Sequence, residues 1–117
     1  MQVEQSVAGH LEAFDYDDLT INNTASGLTA AKLNPTSTQV GRDFGKCRMV
    51  IIEVEGADVR YTVHTGGTPV GTNQGSPTGH LLPNGSILTL ANLMQLKNFS
   101  VVRETASNAT LRVTYYR

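Results

Sequence analysis

Chemistry in this chain would have to start from three imidazoles, one thiol and a scatter of carboxylates. His10, His64 and His80 are the only histidines. His64 and His80 bracket a Gly-rich stretch whose closure would bring them together as metal ligands. A zinc site wants three or four ligands, so Asp58 or Glu53 would have to complete the set. Metal-binding jelly rolls carry closely spaced histidines on one strand, and no His-x-His occurs here. The simpler reading makes these histidines structural or surface residues, so neither a metal nor any other cofactor is expected.

Cys47 sits between Lys46 and Arg48, cations that can lower a thiol's pKa and make it reactive. At the start of a strand it reads more simply as a small buried apolar residue. Asp15, Asp17, Asp18, Glu53 and Glu55 supply carboxylates for glycoside hydrolysis on count alone. The acids at 15–18 read as a solvated turn, and the chain is short for a deep cleft as well as a core. No Gly-x-Ser-x-Gly elbow is present, and Gly75-Ser76-Pro77 leads into neither a lysine nor a helix, so no phosphate loop forms. The expectation is a protein that is not an enzyme. Asn22, Asn84, Asn98 and Asn108 begin Asn-x-Ser/Thr triplets, which chance supplies in a chain rich in Asn and Thr.

The elements that would position these residues are strands. Asp58 to His64 alternates Val59, Tyr61 and Val63 with Arg60, Thr62 and His64, the period of a strand with one apolar face. Residues 65–79 then hold five glycines and two prolines in fifteen positions, which excludes helix. Such a long loop inside a compact domain is functional or mobile. Extended chain resumes at His80-Leu81-Leu82.

Lys46 to Glu55 is the clearest strand, apolar on both faces over Met49-Val50-Ile51-Ile52, and so expected to be central and covered on each side. Gly56-Ala57 predicts a hairpin between it and 58–64. Upstream, 10–16 and Leu19-Thr20-Ile21 read as strands flanking the acidic turn. Leu28 to Leu33 is the expected partner of 19–21, across the turn composition of 22–27. Downstream, Asn84-Gly85 predicts a turn before a strand at 86–90, and 92–95 a single helical turn. Strands at 96–103 and 109–116 follow. In the last, Ala109, Leu111, Val113 and Tyr115 share one face and Thr110, Arg112, Thr114 and Tyr116 the other. About eight short strands at this spacing predict an all-β, single-domain β-sandwich of jelly-roll type. Residues 1–9 read as an N-terminal arm and 10–117 as the domain.

The 117 residues suit one domain, and the charged fraction of 16% lies under the usual ~25%. A net charge of −1 argues against nucleic-acid binding by phosphate neutralisation. No apolar run approaches a membrane span, and the first residues lack the pattern of a signal peptide. The single cysteine excludes an internal disulfide and fits synthesis in a reducing cytoplasm. Tyr115-Tyr116-Arg117 suits a partner surface, or else places one tyrosine in the core and one in solvent.

From about residue 57 onward the order of motifs resembles small structural proteins of tailed bacteriophages. The residues are Asp58-Val59-Arg60-Tyr61-Thr62, Gly67-Thr68-Pro69, Gly79-His80-Leu81-Leu82-Pro83-Asn84-Gly85, Leu96-Lys97-Asn98-Phe99 and the closing Ala109 to Tyr116. The resemblance implies a virion component of the capsid decoration or cement type. Such a protein would bind the outer face of the major capsid protein as a homodimer or homotrimer, with no catalytic residues. Composition alone nominates contact residues: Gln2 and Val3 in the arm, Gly67, Thr68, Pro69 and Asn73 in the loop, and Tyr116 and Arg117 at the end. The alternatives are a tail or head-fibre module that binds host glycans, though without any Trp platform, and a cupin-like enzyme with metal at His64 and His80.

Overall fold

The computed structural model describes residues 11–33 and 46–117. The expected N-terminal arm, with Gln2 and Val3, and most of the polar stretch that follows Leu33 lie outside the described residues. Seven strands form among the described residues: β1 (Ala13–Ile21), β2 (Met49–Glu55), β3 (Val59–Thr62), β4 (His80–Leu82), β5 (Ile87–Leu90), β6 (Ser100–Arg103) and β7 (Ala109–Tyr116). Two short α-helices, α1 (Ala30–Leu33) and α2 (Leu93–Asn98), and a 3-10 turn at Thr72–Gln74 join them. The strands pair into a four-stranded antiparallel sheet, β1-β7-β2-β5, and a three-stranded one, β4-β3-β6, around one hydrophobic core. The fold is all-β, a single sandwich-like domain.

Strand periodicity sets the two faces of the larger sheet. In β7, Ala109, Leu111, Val113 and Tyr115 are buried, while Thr110, Arg112, Thr114 and Tyr116 point outward. Val50, Ile52 and Val54 do the same for β2. β2 is central, as expected, but no described element packs over its second face. Ile51 is only half-buried and Glu53 is exposed, because an apolar run in a strand needs only its inward half buried.

The expected hairpin of β2 with the following strand does not form. Both edges of β2 are already occupied, by β7 and β5, so β3 must leave for the other sheet. The chain turns that corner at Gly56, whose φ of +93° suits glycine. Asn84 fastens the corner: its side chain accepts the Gly56 N–H at 3.0 Å, and its own N–H donates to Asp58 at 2.8 Å.

The acids at 15–18 are not a turn, and 28–33 is not a strand. One continuous β1 pairs with β7 along its length, with a register shift between Ala13 and Asp15. Residues 30–33 form α1, where the N–H groups of Lys32 and Leu33 both reach the Thr29 carbonyl. That single turn drops Leu33 into the core. The strand expected at 96–103 starts instead at Ser100. Asn92 caps α2 by accepting the Gln95 N–H at 2.9 Å, which carries the helix through to Asn98.

Candidate functional site

The two sheets present opposite outer sides, and among the described residues that of the three-stranded sheet is partly covered by a loop, with Leu81 still 45% exposed on it. On the three-stranded sheet, Val59 and Tyr61 face the core, so Arg60 and Thr62 point away from it. Thr62 is nonetheless buried, as is Val102 opposite Arg60, because the 65–79 loop folds back over this side. Gly71 comes so close to β6 that a Cβ there would overlap the Arg103 carbonyl. Val70 and Thr78 exchange both backbone hydrogen bonds at 2.9 Å and close the loop's neck.

A carboxylate pins this loop in place. Glu104 accepts from Arg60 Nε at 2.7 Å and Nη2 at 3.1 Å, and from the Thr72 N–H at 3.0 Å and hydroxyl at 2.6 Å. Arg60 also donates to the Gly79 carbonyl at 3.0 Å, tying both legs of the loop to one ion pair. The Arg60 hydrogen bonds, with those of Thr72, outweigh the burial of Glu104 and hold its carboxyl at about 2.

The nominated contact residues therefore separate. Gly67 packs against His64 and Thr62, and Pro69 is buried under the loop, so neither offers a side chain to a partner in this arrangement. Thr68 and Asn73 are exposed at the loop surface. Tyr116 lies on the outer face of the four-stranded sheet, opposite Met49. The Arg117 guanidinium stacks over the Phe14 ring, 4.4 Å from its centroid, and its backbone exchanges hydrogen bonds with Glu12. Tyr115 is wholly buried, with its hydroxyl donating to Asp17 at 2.8 Å. Burial and that hydrogen bond push it up to about 12. Asp17 also accepts from Thr29 at 2.7 Å and Lys32 at 2.7 Å, which outweighs its desolvation and keeps its carboxyl below the ordinary value.

The candidate chemistry disperses likewise. Burial pushes the Cys47 thiol up, the reverse of an activated nucleophile, despite its two cationic neighbours in sequence. His80 stacks on Tyr61, with centroids 5.4 Å apart. Among the described residues, no three His, Cys, Asp or Glu side chains gather where a metal ion could sit.

Among the described residues, the four-stranded sheet's outer face is the more open of the two. Strand register lines up two rows across it, Tyr16–Thr114–Ile51–Thr89 and Asp18–Arg112–Glu53–Ile87. Between the rows lies a shallow cleft of about 280 Å³ walled by Tyr16, Ile51, Glu53, Ile87, Arg112 and Thr114. Tyr16 is 48% exposed and Ile87 64%. Arg112 Nε donates to both oxygens of Glu55 at 2.7 Å, and Nη1 to Asp18 at 2.8 Å and to the Tyr16 hydroxyl at 3.3 Å. The Glu55 and Tyr16 hydrogen bonds and the charges of Glu55 and Asp18 raise the guanidinium's pKa further.

Sequence reasoning passed over this face. Its signal was the outward phase of β7, which Arg112, Thr114 and Tyr116 carry plainly. Extending that phase to β1, β2 and β5 requires the pairing register, which lies outside any one segment. Comparison with protein-family models, with curated proteins and with solved structures finds no match.

Proposed function

We propose that this protein is a capsid decoration protein of a tailed bacteriophage, a non-catalytic virion component that staples neighbouring major capsid subunits. The observation that carries the reading is the outer face of the four-stranded sheet. It is an open surface with two large apolar side chains exposed, Tyr16 and Ile87, and with Arg112 already tied to its neighbours. A surface of that kind suits protein contact: it offers apolar area to bury, and three of its four charges already pair with one another. The motif order from residue 57 to the end supports the phage assignment.

The finer fold assignment belongs to the same proposal. We take the sandwich to be a jelly roll, an antiparallel ribbon rolled into two sheets. Ser26 makes an isolated antiparallel bridge to Val101 of β6. Counted as the second of eight strands, it gives ribbon pairs one with eight, two with seven, three with six and four with five. Those pairs correspond to β1–β7, Ser26–Val101, β2–β5 and β3–β4. The 65–79 loop is then the tip of the ribbon, folded back on itself.

A homo-oligomer on the shell would multiply weak single contacts into firm attachment. The test is co-sedimentation with shells assembled from the cognate major capsid protein. A fixed copy number per capsid subunit is the expected result, and absence from the shell fraction at saturating protein would refute the reading.

A further inference from the structure

We infer that the cleft on the four-stranded sheet receives one basic side chain, a lysine or arginine presented by the capsid subunit; the inference rests on the decoration reading. Asp18, Glu53 and Glu55 share this face with one guanidinium, Arg112. Glu55 and Asp18 take that guanidinium between them, at 2.7 and 2.8 Å. The Glu53 carboxylate, directly opposite Arg112 in the register, is left with no hydrogen-bond or ion-pair partner among the described residues.

The walls supply the rest. Ile51 and Ile87 flank Glu53 along and across the strands, and Tyr16 closes the far side. A lysine or arginine stem is aliphatic and lies well on such walls while its head stays polar. The cation would end on the Glu53 carboxylate, within reach of the Tyr16 ring face. A purely apolar partner residue would cover Glu53 without compensating it, which costs free energy. A metal ion would find one unpaired carboxylate where it needs several ligands. The volume, about 280 Å³, falls just below the range of small-molecule pockets, about 300–1,000 Å³. It fits one long side chain.

The test uses the intact protein labelled at its isoleucine methyls, titrated with Nα-acetyl-lysine methylamide and, in parallel, with its norleucine analogue. The lysine probe is expected to shift the Ile51 and Ile87 methyl signals saturably. Glu53→Gln should weaken this at least about tenfold, the loss of one charge-assisted contact. Added salt should weaken it as well. Equal shifts from norleucine, an unaltered response in Glu53→Gln, or no saturable shift would each overturn the inference.

Shell binding separates the two layers of the argument. If the lysine probe binds but the protein never joins shells, the decoration reading fails while the cleft's chemistry stands. If Glu53→Lys still decorates shells at wild-type occupancy, the cleft assignment fails alone. Self-association of the free protein that Glu53→Gln abolishes would overturn the assignment of the donor to the capsid subunit and place it on a second copy.

Discussion

Arg60 and Glu104 meet on the outer side of the three-stranded sheet with Nε and Oε1 2.7 Å apart, and Thr72 of the loop shares the same carboxylate. Forty-four positions separate the pair in sequence. Three parts of the chain converge on it: β3, the end of β6 and the long loop. The pair decides what the loop is. It ties the loop down at Thr72 and Gly79, while Thr68 and Asn73 stay exposed on the loop's surface.

Removing the carboxylate should therefore free the loop. Glu104→Ala is expected to lower unfolding stability by about 2–3 kcal/mol, the scale of lost charge-assisted hydrogen bonds around a buried group. Urea titration measures the loss. Hydrogen exchange should show faster exchange at Thr72 and Asn73, whose N–H groups donate to Glu104. The Ile51 and Ile87 methyl signals, on the other sheet, should not move.

The same group gives a signed pH dependence. Its folded value is about 2 against an ordinary 4.5, so the unfolded chain takes up this proton first as pH falls. The stabilisation is complete above about 4.5 and is lost as pH drops toward 2. Asp17 is shifted in the same direction and adds to the trend. Urea midpoints of wild type and Glu104→Ala should converge over that interval; a constant gap would contradict the role given to Glu104.

Gly71 tests how tightly the loop is laid down. Its φ of −77° and ψ of 156° are open to any residue, so the demand for glycine there is one of space alone. Gly71→Ala should cost about 1–3 kcal/mol through overlap with the Arg103 carbonyl. Gly66 is the control, with a φ of +75° and nothing within 4 Å of a Cβ. Alanine there should cost about 1 kcal/mol from backbone conformation only. Thermal and urea unfolding of both variants would rank them.

Tyr115 and Tyr116 divide between core and surface. Tyr115→Phe removes a hydroxyl held by Asp17 and near the Thr29 N–H, and is expected to cost about 1 kcal/mol. It should leave shell occupancy unchanged, because Tyr115 is buried.

Strand positions were legible where one face is apolar and the other polar, as in β7, and where Gly or Asn-Gly ends a run, as before β5. Pairing was not. The Gly56-Ala57 link looks like a hairpin because a short link usually is one, and nothing local reports that β7 and β5 already fill both edges of β2. Asp15, Asp17 and Asp18 look like a turn because acids favour solvent. In the fold Asp17 turns inward to Tyr115, Lys32 and Thr29, partners at least twelve residues away. Thr62 looked like the solvent side of β3, since the loop that covers it reads only as loop. The outer cleft was hidden for a related reason: Tyr16, Ile51, Glu53 and Ile87 come from three strands, and only register brings them together.

Shell occupancy of an outer-face variant decides whether this face meets the capsid. Ile87→Lys puts a cation on a residue that is 64% exposed and directly opposite Glu53, so its urea midpoint should stay close to the wild-type value. Co-sedimentation with cognate shells is then expected to fall at least about tenfold, because the new cation occupies Glu53 and repels the basic side chain the capsid presents. Occupancy equal to wild type, with the variant folded, would contradict the assignment of this face to the capsid.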